Sequence, residues 1–161
     1  MAIIIIAGGV YFYSQPKQSA TAGWQTYNFH NNTDSVSYPG NLVLSTTTGG
    51  FTENAPNFSF PRSYFGGSSI SQATISFYTE VGDDPSPNSP SVTLNGTNWT
   101  EAATSSCSAS TACSRRVWYS QYSTGSTHFM LTITSLDPES LNGVAAQNIL
   151  SIYQQIVGSY R

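Results

Sequence analysis

The sequence predicts an α+β fold in which a mainly antiparallel sheet of about six to nine strands is packed by a helix at the C-terminus. Two observations lead to this prediction. From residue 24 to about residue 134, short segments carry apolar residues at every second position, as strands do. Beyond that point the apolar spacing changes to three and four residues, which is the period of a helix. A β-sandwich with a helical tail is the alternative.

The composition of the chain limits the classes of function it can have. Its 161 residues are enough for one domain with a buried core. Only 8% are charged, 39% are hydrophobic, and 26 Ser and 18 Thr supply much of the polar surface. The net charge is −3, with Arg115 and Arg116 as the one adjacent cationic pair. Since nucleic-acid binding depends on many Lys and Arg side chains, we expect no nucleic-acid partner.

The N-terminal region indicates the compartment. Residues 1–13 contain an unbroken apolar run, and the linker 14–23 separates it from a single globular domain at 24–161. A helix of the twelve apolar residues would reach about 18 Å, which is too short for a bilayer core of about 30 Å. We therefore expect part of a signal anchor that holds the protein at the membrane, outside the cytoplasm. The alternatives are a signal peptide cleaved near Ala22, which would give a secreted protein, and a buried strand.

Alternating apolar segments predict strands at residues 24–29, 34–38, 42–46, 57–60, 73–80, 91–94, 97–102, 115–122 and 127–134. Asn95-Gly96 predicts a type I′ turn between two of these strands, because both residue types tolerate positive φ angles. The segment around Gly125 predicts another turn between the last two strands. Hairpins between consecutive strands favour antiparallel pairing.

The C-terminal segment carries an apolar stripe from Leu141 to Val157 that predicts a helix. Asp137 suits its N-cap, the following proline suits its first turn, and Gly158 suits the C′ position. Gly143 weakens the early part, so the main helix is expected to begin after it. The stripe needs a sheet to cover, and this requirement makes the fold class α+β.

Cys107 and Cys113 flank a short loop of small and polar residues that can bring the two thiols within bonding distance. In an oxidising compartment we expect a disulfide between them. Two unpaired surface thiols are the alternative. A redox motif or a zinc site would need closer spacing or further ligands.

The remaining candidates for chemistry are few. Acidic residues are concentrated in one place, at Glu80, Asp83 and Asp84. A solvated loop is a simpler interpretation of this segment than a cation site or a catalytic pair of carboxylates. His30 and His128 are expected at the surface or at a strand edge. No motif for nucleophilic catalysis occurs in the sequence. We therefore predict no catalytic, cofactor-binding or metal-binding residue.

Aromatic side chains are frequent on neighbouring predicted strands. Trp99, Trp118, Tyr119, Tyr122 and Tyr78 belong to this group. Alternation along a strand sends adjacent residues to opposite faces, so about half of the group is expected in the core. The alternative is an exposed aromatic patch that binds a glycan or a partner protein.

Several short segments occur in a characteristic order. Trp24 and Tyr27 are followed by SVSYPGNL at 35–42, FSFP at 58–61, SISQATIS at 69–76, VTLNGT at 92–97 and NILSIY at 148–153. This series resembles the motifs of PsbP-like domains in small exported, membrane-anchored bacterial proteins. The resemblance implies an α/β/α sandwich with helices on both faces of the sheet, and a location outside the cytoplasm. It carries no catalytic or ligand-binding residue over to this chain.

These features together favour a non-catalytic extracytoplasmic binding or accessory domain, tethered to the membrane by its N-terminus and recognising an unknown protein or glycan. One alternative is a small extracytoplasmic hydrolase that uses Glu80, Asp83 or Asp84. Another is a pilin-like structural subunit, although a pilin needs a longer helical spine than residues 1–13 provide.

Overall fold

A computed structural model describes residues 23–29, 32–47, 55–78, 90–107, 114–122 and 128–161, with the backbone alone at 47, 78, 101–107, 114–116 and 118–122. This part of the chain forms nine strands, two 3-10 helices and one α-helix. The predicted α+β class, with a mainly antiparallel sheet and a C-terminal helix, is confirmed.

The strands are β1 Trp24–Phe29, β2 Asp34–Pro39, β3 Val43–Thr47, β4 Ala55–Ser59, β5 Ile70–Tyr78, β6 Ser91–Leu94, β7 Thr97–Cys107, β8 Ser114–Tyr122 and β9 His128–Ser135. The 3-10 helices are Arg62–Tyr64 and Pro138–Asn142, and the α-helix, α1, is Val144–Gly158. The largest shift from the predicted bounds is in β7, which continues to Cys107. The sequence does not predict the last part of β7 because that part lacks apolar alternation. Its strand conformation comes from pairing with β8.

Seven strands form one sheet in the order β3-β4-β5-β9-β8-β7-β6, and β1 and β2 form a separate hairpin. Every pairing is antiparallel. The last strand, β9, lies at the centre of the sheet between β5 and β8. The pairing of β5 with β9 therefore joins the strands β3–β5 to the strands β6–β8 in one sheet.

The core lies between one face of this sheet and a layer made of α1 and the β1–β2 hairpin. On β5 from Ala73 and on β9 from Phe129 every second residue is buried, which gives the sheet its apolar face. The helix contributes Ile149, Tyr153 and Ile156 to the same core. Full burial of such a side chain contributes about 1.5–3 kcal/mol. The apolar stripe of α1 therefore covers the sheet as its spacing predicts.

An aromatic cluster fills the part of the core beneath the hairpin. The ring centroids of Phe29 and Phe77 lie 4.6 Å apart, those of Phe77 and Phe129 5.0 Å, and those of Trp99 and Phe129 5.8 Å. Tyr160 contacts the same rings and donates a hydrogen bond from its hydroxyl to Asp34 Oδ2 at 3.1 Å. Trp99 is 1% exposed, so this member of the aromatic group lies in the core.

The start of the helical segment follows the sequence prediction. Asp137 is the N-cap of the second 3-10 helix, and its carboxylate accepts a hydrogen bond from the backbone N–H of Glu139 at 3.1 Å. The chain is extended at Gly143, with φ −73° and ψ 171°, and α1 begins at the next residue. The expected interruption at this glycine is thus confirmed.

The end of α1 differs from the prediction. Gly158 is the last helical residue, and Ser159 is the C-cap, with φ −89° and ψ −8°. Glycine is needed for space: a Cβ at Gly158 would lie 3.1 Å from Leu94 Cβ on β6. The β6–β7 turn that approaches the helix here has φ 51° at Asn95 and φ 83° at Gly96, which confirms the type I′ turn.

The opposite face of the central strands carries polar residues together with two buried side chains, Val117 on β8 and His128 at the start of β9. Thr74 on β5 pairs with Thr132 on β9, and the Ser76 hydroxyl on β5 donates to Asn57 Oδ1 on β4 at 2.6 Å. Within the described residues the α-helix packs on the apolar face. The second helical layer implied by the PsbP-like resemblance stays a prediction.

Candidate functional site

Two adjoining cavities lie where the β1–β2 hairpin, α1 and the β6–β7 hairpin meet. Their volumes are about 660 Å³ and about 440 Å³, and Trp24 and Gln155 line both. We call this pair of cavities the Trp24 groove. It is assembled from segments that are far apart in the sequence.

The position of Trp24 follows from the open end of the β1–β2 hairpin, opposite the turn that joins the two strands. Trp24 pairs with Pro39, and the N–H of Gly40 donates to the carbonyl of Gly23 at 3.0 Å. A Cβ at Gly40 would lie 2.9 Å from that carbonyl oxygen and 3.0 Å from Gln25 Nε2, so a larger residue would force the chains apart. This contact fixes the backbone next to Trp24, whose half-buried side chain packs against the core.

The helix supplies one wall of the groove. Ser151, Gln154, Gln155 and Gly158 line the larger cavity. Their spacing of three and four residues places them on one side of α1, next to the face that enters the core. Gln155 Nε2 donates to the Ser151 hydroxyl at 3.4 Å. This wall is therefore a row of amides and hydroxyls.

Hydrogen bonds fix the opposite wall. Asn95 Nδ2 donates to the carbonyl of Gly158 at 3.1 Å, which ties the β6–β7 turn to the end of the helix. The Ser159 hydroxyl accepts from the Ser37 backbone N–H at 2.8 Å. Arg161, which also lines the larger cavity, exchanges two backbone hydrogen bonds with Ser35, at 3.0 and 3.1 Å. The chain that follows α1 is thus held along β2.

The smaller cavity adds a second aromatic residue. Tyr64 lines it together with Asn41 and Ile152. The Tyr64 hydroxyl donates to Asn41 Oδ1 at 2.6 Å, and its ring lies edge-on to Phe60 with centroids 5.2 Å apart. These contacts hold both polar groups in fixed positions at the rim.

The groove can donate and accept hydrogen bonds and can offer an aromatic surface. Arg161 has the one charged side chain among the residues that line it, and none of these side chains is a carboxylate, an imidazole or a thiol. Acid–base catalysis most often uses such a group, or a lysine or tyrosine, and the one tyrosine of the lining, Tyr64, donates its hydroxyl proton to Asn41 Oδ1. The arrangement is therefore chemically suited to binding.

The structure places one of the two cysteines. Cys107 is the last residue of β7, and its backbone pairs with Ser114 at the start of β8. Cys113 lies outside the described residues. The disulfide stays a prediction.

The expectation for His128 is wrong. This residue is 2% exposed and begins β9 at the centre of the sheet, where it pairs with Tyr78 and Gln121. A local pattern cannot reveal this burial, because β5 and β8 come from other parts of the sequence. The other histidine, His30, lies outside the described residues.

The acids of the predicted loop, Glu80, Asp83 and Asp84, also lie outside the described residues. Within the part of the chain that is described, no group of three or more His, Cys, Asp or Glu side chains is close enough to hold a metal ion. None of the helices described is long and apolar enough to cross a bilayer.

The sequence does not predict the groove. It predicts Trp24 only as the start of a strand and Gly158 only as a helix stop. The one feature of the sequence that could have indicated the groove is the polar side of the helix, where Ser151, Gln154 and Gln155 lie at helical spacing with Gly158. That signal alone does not say which hairpin faces it.

Comparison with known proteins gives little. No protein-family model matches the chain, and no curated protein matches it. It is similar to a crystal structure at 1.50 Å resolution of a protein from Bacteroides thetaiotaomicron VPI-5482, with a TM-score of 0.49 and 11% sequence identity. The match covers 86% of this chain and 48% of the other, so this chain spans about half the length of that protein. A likeness at this level assigns neither a family nor a function.

Proposed function

We propose that this chain is a non-catalytic binding or accessory domain of PsbP-like type, held outside the cytoplasm by an apolar N-terminal anchor, with the Trp24 groove as its ligand-binding site. The observation that carries the proposal is the lining of the groove. It combines the indole of Trp24 and the phenol of Tyr64 with amides and hydroxyls, and its side chains include no carboxylate, imidazole, amine or thiol.

Preorganisation supports a binding role. The amide of Asn95, the hydroxyl of Ser159 and the pair formed by Tyr64 and Asn41 are each held by a hydrogen bond within the protein. Groups that are already ordered lose little conformational entropy when a ligand arrives. A groove with such walls can therefore bind a ligand without first rearranging.

The position of the groove supports an accessory role near a membrane. Gly23, at the end of the polar linker, lines the smaller cavity, and the next residue, Trp24, lines both cavities. In a protein anchored through residues 1–13, the ligand site would adjoin the tether.

The test is a binding and turnover experiment on the full chain. Wild-type protein and the Trp24→Ala variant are titrated with peptides, oligosaccharides and anionic polymers, and binding is followed by tryptophan fluorescence. Each ligand is then recovered, and its mass is measured by mass spectrometry to detect turnover. We expect saturable binding that Trp24→Ala weakens, with the ligand recovered unchanged. The Gln147→Ala variant is the matched control, because Gln147 is exposed on the same helix and does not line the groove.

Two results would contradict the proposal. One is hydrolysis of any substrate by wild-type protein, which would favour the small extracytoplasmic hydrolase. The other is binding that is equally strong in the wild type and in Trp24→Ala, which would place the ligand elsewhere. The anchor is tested separately: protease added to intact cells that express the full chain should digest the domain.

A further inference from the structure

The polar groups in the Trp24 groove are of a type that both donates and accepts hydrogen bonds. Its lining includes the amides of Asn41, Asn95, Gln154 and Gln155, a group with two donors and a carbonyl oxygen, although bonds within the protein already engage Asn41 Oδ1 and one N–H each of Asn95 and Gln155. Ser151 adds a hydroxyl, which has the same double capacity. Sugar hydroxyls also donate and accept, so amide and hydroxyl walls match the edge of a sugar ring.

Charge argues against strongly anionic ligands. Arg161 is the one cation among the lining residues, whereas polyanions are bound by several Lys and Arg side chains. Leu94 and Ile152, both half-buried, add apolar surface to the lining beside the indole. A ligand that is polar and uncharged fits this lining best.

The indole of Trp24 gives the groove its aromatic surface. It lines both cavities, so a chain that runs from one cavity into the other must pass it. A pyranose ring has C–H groups on its faces and hydroxyls at its edge, and can pack on an aromatic ring while its edge bonds to amides. Both cavities have volumes within the range of small-ligand sites, about 300–1,000 Å³.

We infer that the Trp24 groove binds a short stretch of a neutral glycan chain, with one sugar packed on Trp24 and its neighbours in the two cavities. This inference rests on the proposed binding function of the groove and names the chemical class of its ligand. Gln155, which also lines both cavities, bonds to the hydroxyls of the sugar that packs on the indole.

The experiment uses the full chain in a detergent whose headgroup contains no sugar. Binding is measured by calorimetry and by tryptophan fluorescence with neutral oligomers of β-1,4-linked glucose, xylose and N-acetylglucosamine and of α-linked mannose. An anionic polysaccharide, polygalacturonate, and an extended uncharged peptide serve as competing classes. We expect saturable binding of at least one neutral oligomer, with little change as salt is raised, because no ion pair carries the interaction.

Variants locate the binding. Trp24→Ala is expected to weaken it about tenfold or more, as is common for a buried tryptophan contact, and Trp24→Phe, which retains a ring, to restore part of the loss. Gln155→Ala should weaken it severalfold, whereas Gln147→Ala should leave it unchanged. Circular dichroism verifies that Trp24→Ala is folded.

The outcomes separate this inference from the proposed function. If the peptide or the polygalacturonate binds in a Trp24-dependent manner and no neutral oligomer does, the glycan inference is overturned and the groove remains a binding site. If no ligand of any class binds, or if Trp24→Ala changes nothing, both the inference and the proposed role of the groove fail.

Discussion

Gly158→Ala tests how closely α1 approaches the β6–β7 hairpin. The added Cβ would lie 3.1 Å from Leu94 Cβ and 3.4 Å from both Asn95 Cβ and the Leu94 carbonyl carbon. These atoms belong to the backbone or are bonded directly to it, so no flexible side-chain tip can move aside. The hairpin itself would have to shift by a few tenths of an ångström.

Two opposing effects set the size of the change. Replacing a helical glycine by alanine stabilises a helix by about 0.5–1 kcal/mol. Overpacking a tight contact costs about 1–3 kcal/mol. A shift of the hairpin also stretches the Asn95 Nδ2 to Gly158 carbonyl hydrogen bond, which contributes about 0.5–1.5 kcal/mol. The balance is a loss of about 1–2 kcal/mol, or about 2–8 °C in Tm for a chain of this size.

Urea unfolding and thermal unfolding of the full chain, followed by circular dichroism, measure this loss. Gln147→Ala is the control on the same helix, and its free energy of unfolding should change by less than about 0.5 kcal/mol. A Gly158→Ala protein that is as stable as the wild type, or more stable, would show that the hairpin does not approach the helix as described.

Three further substitutions test other contacts. Tyr153→Phe removes the buried hydroxyl that donates to the Phe129 carbonyl at 2.9 Å, and should lower the free energy of unfolding in urea by about 1–2 kcal/mol; an unchanged midpoint would argue against the bond. Gly96→Ala places a Cβ at φ 83° and should cost about 1–2 kcal/mol in thermal unfolding, whereas a neutral effect would exclude the type I′ turn. Replacing Cys107 and Cys113 together by Ser should cost about 2 kcal/mol in oxidised protein, and free thiols titrated in natively isolated material would refute the disulfide.

Local patterns in the sequence were sufficient for most of the strands and turns. Alternation along β5 and β9 is imposed by a sheet with one buried face, so it can be read without knowing which strands pair. The Asn95-Gly96 turn and the Asp137 cap depend on residues within a few positions of each other. For this reason each was correctly predicted from neighbouring residues alone.

Features that depend on distant residues were not predictable in the same way. The central position of β9 buries His128, and nothing near His128 in the sequence indicates that β5 and β8 will flank it. Gly158 was correctly singled out, but for the wrong reason, because the residue that approaches it, Leu94, lies in another hairpin.

The candidate site shows the same limit more strongly. Trp24, Asn95 and Gln155 are ordinary residues for a strand, a turn and a helix surface, and they form a groove only after the three segments are packed together. No spacing rule connects them. A binding site made of amides and one indole leaves no motif in the sequence, unlike a metal site or a catalytic triad.

Because Gly23 lines the groove, the length of the linker before it limits how far from the membrane an anchored protein could bind its ligand. The linker at 14–23 has ten residues, and a fully extended chain of that length spans at most about 35 Å. If the domain is anchored to a bilayer by so short a linker, the groove can reach only ligands that lie close to the membrane surface. Within that layer its effective concentration toward any tethered ligand would be high, so even weak individual contacts could retain it there.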